Sequence, residues 1–260
     1  MNMATQIHPQ AVVDSHAELD DGVSVGPFAV IGPHVRIGKF TEIGPSAHIT
    51  GYTQIGESCK VFSHAVIGSA PQDLKYKGVK SFLIIGDNNT IREFVTLNPG
   101  TEEGSKTIVG NNNLIMAYSH IAHNCIVGDE NVLANLATLA GHVTVGNHVV
   151  IGGMVAIHQF CRVGDFAIIG GCSKVVQDVP PFSLCDGRPA SIRGVNLVGL
   201  KRKGFSKDKI DIIKKAFKIL FFEGHTLKHA KSIVSDLLPD NAELEYLISF
   251  ISSSERGISR

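Results

Sequence analysis

The stretch Val25-Gly-Pro-Phe-Ala-Val-Ile31-Gly-Pro-His-Val-Arg-Ile37-Gly-Lys-Phe-Thr-Glu-Ile43-Gly-Pro-Ser-Ala-His-Ile49 places an aliphatic residue at every sixth position. The step extends back to Val13 and Ile7 through Leu19 and forward through Ile55, Val61 and Ile67, without one polar residue. It then lapses, returns at Ile85, Ile91 and Leu97, and pauses again over Gly100 to Lys106. From Val109 it runs through Ile115, Ile121, Val127, Leu133, Leu139, Val145, Ile151, Ile157, Val163 and Ile169 to Val175. Both times it resumes in phase. A fixed internal period has to be read before any single element, because it decides the architecture.

Period six is a short strand plus a corner. Gly or another small residue often follows the aliphatic one, as at Gly26, Gly32, Gly38, Gly146 and Gly164, and the expectation is a tight turn at that place. Three such strands make one triangular coil of about 18 residues, and successive coils stack about 4.7–4.9 Å apart, the inter-strand spacing of a sheet. Each aliphatic side chain then points inward onto its counterpart one coil below, so stability accrues repeat by repeat. The interruptions read as loops pushed out of the coil, roughly Ala70 to Leu83 and Pro99 to Thr107. Loops on a rigid scaffold usually carry function.

Past Pro180-Pro181 the step fails. Ser206 can cap a helix with Ile210, Ile213, Phe217, Leu220 and Phe221 on one face and Gly224 at its end. Shorter helices are expected over Thr226 to Leu238 and Asn241 to Ser253, separated by Pro239. The chain therefore divides into a β-helix over 1–192 and a small helical domain over 193–260.

Composition agrees with many short strands and tight turns. Charged residues are 18% of 260, against roughly 25% in ordinary globular domains, Gly reaches 27, and Trp is absent. Formal net charge is zero, so no overall field recruits nucleic acid or an anionic membrane. Nothing in the chain looks like a leader or a membrane span. The five cysteines, Cys59, Cys125, Cys161, Cys172 and Cys185, include no Cys-x-x-Cys pair, which fits a reducing cytoplasm.

The chemistry concentrates in His120-Ile-Ala-His123-Asn-Cys125 and Leu139-Ala-Gly141-His142. His123 lies two residues after inward Ile121; one coil on is Gly141, and one further is Gln159. Imidazole titrates near neutrality, so a His on that column can take a proton from a hydroxyl attacking an acyl carbonyl, while a backbone N–H one coil away receives the oxyanion. A lone His on a coil face is more often structural. A zinc site of the carbonic anhydrase type from His120, His123 and His142 is a further reading, although three residues span only half a side of the coil.

Gln72-Asp-Leu-Lys-Tyr76, Ile121-Ala-His-Asn-Cys125, Leu139-Ala-Gly-His142, Val155-Ala-Ile-His-Gln-Phe160, Gly170-Gly171, Gln177-Asp-Val-Pro-Pro181 and Gly194-Val-Asn-Leu-Val-Gly-Leu-Lys-Arg-Lys-Gly-Phe205 are similar, in order and spacing, to the UDP-N-acetylglucosamine acyltransferases, members of the hexapeptide-repeat acyltransferase superfamily. The resemblance covers nearly the whole chain. It implies a left-handed parallel β-helix, whereas the general rule for parallel crossovers favours the right hand. It also implies a cytoplasmic homotrimer with sites between subunits, and no cofactor or metal. The implied reaction moves a 3-hydroxyacyl chain from acyl carrier protein to the glucosamine 3-position of UDP-N-acetylglucosamine, the first step of lipid A biosynthesis.

Carried over residue by residue, the resemblance makes His123 the general base and Gly141 the oxyanion donor. Gln72, Asp73 and Lys75 would hold the sugar, His120, His142 and Gln159 would line the sugar and acyl cleft, and Asn196 and Arg202 would meet the nucleotide. Gly153 and Gly171 would leave a groove for the acyl chain, and Gly171 goes with longer chains in the family. The sequence departs from the family at Asn124, where Asp is common, at Asn98 (often His), at Val198 (often Glu), at Lys203 (often Arg) and at Pro189 (often His). A related N-acyltransferase carries an extra N-terminal uridine-binding domain, and here the repeats begin at Ile7. A β-helix serving only as an assembly scaffold would turn over no thioester.

Overall fold

The computed structural model describes residues 4–237 and 241–260. Every aliphatic position of the six-residue step lies in a strand, most of them only two residues long, and among the described residues these strands stack in parallel into three sheets, of 11, 9 and 8 strands once a terminal hairpin is counted. The register joins the steps into three inward columns. One runs Ile115, Leu133, Ile151, Ile169; another Leu97, Ile121, Leu139, Ile157, Val175; the third Val109, Val127, Val145, Val163. The side chains of these columns are buried from Val25 onward, in one continuous core.

The corners differ from expectation. Left-handed backbone falls three residues after the inward side chain, and mostly on residues with side chains: Phe28, Phe40, Tyr118, Asn124, His142 and Phe160 all have φ near +60°. Gly38, one residue after Ile37, is not left-handed. A Cβ there would stand 2.7 Å from the backbone carbon of Gly56 in the next coil. Where glycine follows the aliphatic residue, as at Gly38, it is thus selected by the closeness of the coil above it. Buried asparagines help hold the stack, since Asn113 and Asn131 each give their backbone N–H to the amide oxygen of the asparagine one coil below, at 2.9 and 2.8 Å.

The extruded loops are slightly shorter than expected, because strands begin at Phe82 and at Lys106. Beyond the coil, Ser183–Gly187 continues one sheet in parallel and then turns back antiparallel as Ala190–Val195, across the 192/193 boundary. Among the described residues four α-helices follow: α1 (Leu197–Arg202), α2 (Lys207–Phe217), α3 (Leu227–Leu237) and α4 (Ala242–Ser252). Ser206 caps α2 by accepting from the Lys209 N–H, and α2 loosens into a π-helical turn over Lys218–Phe222. Pro239 lies outside the described residues. The helices share a second apolar cluster with Phe182 and Ile192. They are tied to the coil by Arg162, which bonds buried Asp178 and the Phe250 carbonyl.

Candidate active site

His123 and Gly141 occupy the same turn position in successive coils, and the structure brings them into contact. A Cβ at Gly141 would lie 2.4 Å from Cε1 and 2.6 Å from Nε2 of His123. Only a residue without a side chain leaves that imidazole where it is. Among the described residues the Gly141 N–H has no acceptor. The His142 N–H, by contrast, donates to the His123 carbonyl at 3.0 Å, holding the two coils together.

Asp73, on the first extruded loop, reaches over the ring: its Oδ2 is 3.8 Å from His123 Nε2. It accepts the Lys75 N–H at 2.8 Å, which shapes the loop, and the side chains of Gln72 and Lys75 are exposed. On the other side of the imidazole, Nδ1 is 2.9 Å from Asn124 Oδ1. The His142 ring meets that of His123 edge-on at 5.3 Å and stacks on Phe160 at 4.8 Å. Burial, and then the charge on His123, push both His120 and His142 below the ordinary imidazole range. His120 is also bonded to Thr96 Oγ1 at 2.6 Å. Among the described residues no group of three or more His, Cys, Asp or Glu is placed to hold a metal ion.

This constellation sits on a chain with extensive relatives. The profile described as Udp N-acetylglucosamine O-acyltransferase, domain 2, matches residues 178–259, and that of the bacterial transferase hexapeptide (six repeats) matches 106–141. An acyl-[acyl-carrier-protein]--UDP-N-acetylglucosamine O-acyltransferase from Trichlorobacter lovleyi is 55% identical over 98% of this chain and 99% of its own. One from Thermodesulfovibrio yellowstonii is 48% identical, again over 98% of this chain and 99% of its own. The chain belongs to the UDP-N-acetylglucosamine O-acyltransferase family. A solved UDP-N-acetylglucosamine acyltransferase from Bacteroides fragilis superimposes with a TM-score of 0.95 at 40% identity, covering 97% of this chain and 99% of that one. The fold is the left-handed parallel β-helix of hexapeptide repeats with a small helical part.

Within this O-acyltransferase the remaining candidate residues lie apart. Gln159, one coil above Gly141, is exposed. Gly171 stacks on Gly153, whose carbonyl oxygen would be 3.3 Å from a Cβ at Gly171. Arg202 is exposed in the last turn of α1. Asn196 is only 5% exposed and its amide is bonded at both ends: Oδ1 caps α1 by accepting from Gly199, and Nδ2 donates to the Phe166 carbonyl at 2.8 Å. It therefore fixes the helix that presents Arg202. Among the described residues no hydrogen bond or ion pair links Asn196 or Arg202 to the His123 cluster. Two residues near the site were not singled out by sequence reasoning, Thr101 and Glu102 on the second loop, which both bond Asn124. Asn98, one of the departures, closes the first loop by donating to the Ser69 carbonyl at 3.1 Å.

Proposed function

We propose that this chain transfers a 3-hydroxyacyl group from acyl carrier protein to the glucosamine 3-position of UDP-N-acetylglucosamine, opening lipid A biosynthesis, with His123 as general base. The observation that carries this reading is the contact between the His123 imidazole and a glycine whose N–H has no acceptor among the described residues. His123 Nε2 takes the proton of the attacking sugar hydroxyl, a carbon–oxygen bond forms at the thioester carbonyl, and the Gly141 N–H receives the negative oxygen. The tetrahedral adduct then expels the carrier's thiolate, which recovers the proton from the imidazolium.

Asp73 closes the sugar side of the ring, with Gln72 and Lys75 beside it, while His120, His142 and Gln159 line the cleft. Both His120 and His142 are held below the ordinary imidazole range, so they face the substrates as neutral donors or acceptors. Arg202 meets the nucleotide diphosphate, for which a guanidinium fork is suited, and Asn196 acts by capping the helix behind it. The site is completed between subunits of a homotrimer. In support, one corner exposes a column of large apolar side chains, Phe94, Tyr118, Leu136 and Met154, each 43–60% accessible, which a partner subunit would cover. Five free cysteines support a cytoplasmic setting, and among the described residues no helix is long and apolar enough to cross a membrane.

Purified protein given a mixture of 3-hydroxyacyl carrier thioesters, with either UDP-N-acetylglucosamine or its 3-amino analogue as acceptor, should yield one dominant acyl product by mass spectrometry. Absence of product from both acceptors defeats the reading. Two variants test its parts. Gly141→Ala keeps a permitted backbone conformation but displaces the His123 ring, and kcat should fall about ten- to a hundredfold, the range for a displaced catalytic group. Gly171→Met places a flexible side chain in the groove, and each excluded methylene, at about 0.8 kcal/mol of burial, should shift preference toward shorter donors about fourfold. An unchanged chain-length profile in a folded, active Gly171→Met enzyme would put the acyl chain elsewhere.

A further inference from the structure

Asn124 stands directly after the base, in left-handed backbone (φ 59°). Its amide is bonded on both sides. The oxygen accepts the backbone N–H of Thr101 at 3.2 Å and faces His123 Nδ1 at 2.9 Å, while Nδ2 donates to Glu102 Oε2 at 3.1 Å. A backbone N–H can only donate and a carboxylate can only accept, so the amide has one orientation. It follows that His123 Nδ1 carries its proton and that Nε2, 3.8 Å from Asp73 Oδ2, keeps the lone pair. The Thr101 hydroxyl has one proton for two acceptors, Asn124 Oδ1 at 2.9 Å and the Glu102 carboxylate; the Thr101 N–H serves Oδ1 in either case.

The backbone of Glu102 is held in place, and its exposed side chain reaches Asn124 from there. The Ser105 hydroxyl accepts its N–H at 2.9 Å and donates to its carbonyl at 2.7 Å, closing a tight turn. Thr101, and then Asn124, hold its carboxyl below the usual range, so it is ionised at neutral pH. The negative charge therefore lies one amide further from the imidazole than an Asp at position 124 would place it.

We propose that Glu102 is a positioning residue for the acyl transfer: acting through Asn124, it fixes the tautomer of His123 and stabilises the imidazolium formed when Nε2 takes the sugar proton. This rests on the reading of His123 as the base. A carboxylate that polarises an amide strengthens the bond that amide accepts from the ring, and the chain Glu102–Asn124–His123 reaches the ring at Nδ1, while Asp73 faces Nε2. The other ionisable groups facing His123 are Asp73 from the first loop, His142 from the next coil and His120 from its own coil. None of them bonds Nδ1.

The test uses Glu102→Gln, Asn124→Asp and the two together in the full chain, with melting temperature as a check on folding. Glu102→Gln keeps an acceptor for Asn124 but removes the charge. Because charged hydrogen bonds are about twice as strong as neutral ones, kcat should fall on the order of tenfold with KM little changed. The acid limb of the kcat/KM profile should move to lower pH, because a ring that has lost a nearby anion needs more acid to protonate. Asn124→Asp alone sets two carboxylates against each other and should also lose activity. The double substitution puts a single carboxylate beside the ring and should recover activity to within about threefold of the parent, the non-additivity expected of partners in one network. A double variant no better than Glu102→Gln, or a Glu102→Gln enzyme with unaltered rate and pH profile, overturns the proposal. The base itself is tested separately. With His123→Ala inactive, adding Glu102→Gln should cost nothing more; an active His123→Ala enzyme would instead remove the reading on which the proposal rests.

Discussion

His123→Ala should lower turnover by about 10²–10⁴ while leaving the melting temperature close to that of the parent. A positioned general base contributes on that order, equivalent to about 3–5 kcal/mol of barrier at 1.36 kcal/mol per decade. The fold should tolerate the change, because the side chains that carry this coil are Ile121 and Cys125, both fully buried, whereas the imidazole projects from the turn between them. Loss of the ring also removes the bond to Asn124 Oδ1, but that oxygen keeps the Thr101 N–H, so no buried acceptor is left without a partner. Steady-state turnover and a thermal melt on the same preparation separate the two effects. A His123→Ala enzyme with near-parental turnover would exclude His123 as the base.

Ile151→Asp should have the opposite signature, a loss of stability that precedes any question of activity. Ile151 is fully buried and stacked between Leu133 and Ile169 of the flanking coils. A carboxylate there is desolvated with no partner within the apolar column, a cost of several kcal/mol. At about 2–4 °C per kcal/mol for chains of this size, the melting temperature should drop on the order of ten degrees or more. Val150, the outward residue of the same strand, is the control. Val150→Asp should melt much closer to the parent, and equal losses at the two positions would show that the inward and outward faces had been confused.

The three inward columns were legible because a single repeated geometry forces one residue class onto one position, and that survives in the linear sequence as a fixed step. Other features were not legible for equally physical reasons. The first strand of the hairpin, Ser183–Gly187, alternates buried and exposed residues over most of its length, but Pro180-Pro181 and Gly187-Arg188-Pro189 break the hairpin into pieces that read as loop. Corner glycines looked like turn residues, when what selects them is the backbone of the coil above. At the site, the relation between His123 and Gly141 followed from the coil length alone. The approach of Asp73 and Glu102 depends on how two extruded loops fold back, and no local pattern encodes that. Asn196 carried a nucleotide-binding expectation because it lies in a recognisable segment; that its amide also caps α1 and donates to the Phe166 carbonyl could not be read from that segment.

The extruded loops also bear on the order in which the chain folds. Neighbouring strands lie 18 residues apart in uninterrupted coils, but 24 apart across the second loop and 30 across the first. Stacked repeats propagate from whichever segment closes first, and longer separations carry a larger closure entropy. Folding should therefore nucleate in the unbroken run from Val109 to Val175 and zip toward the N-terminus, slowing where Leu97 must dock on Ile121 and again where Ile67 must dock on Leu97. His123 lies beside the first of those seams, and Asp73 and Glu102 are delivered by the segments that delay them. The proposed site should consequently be assembled late, on a scaffold already rigid beneath it, and pulse-labelled amide exchange should find protection at Ile151 before it appears at Ile67.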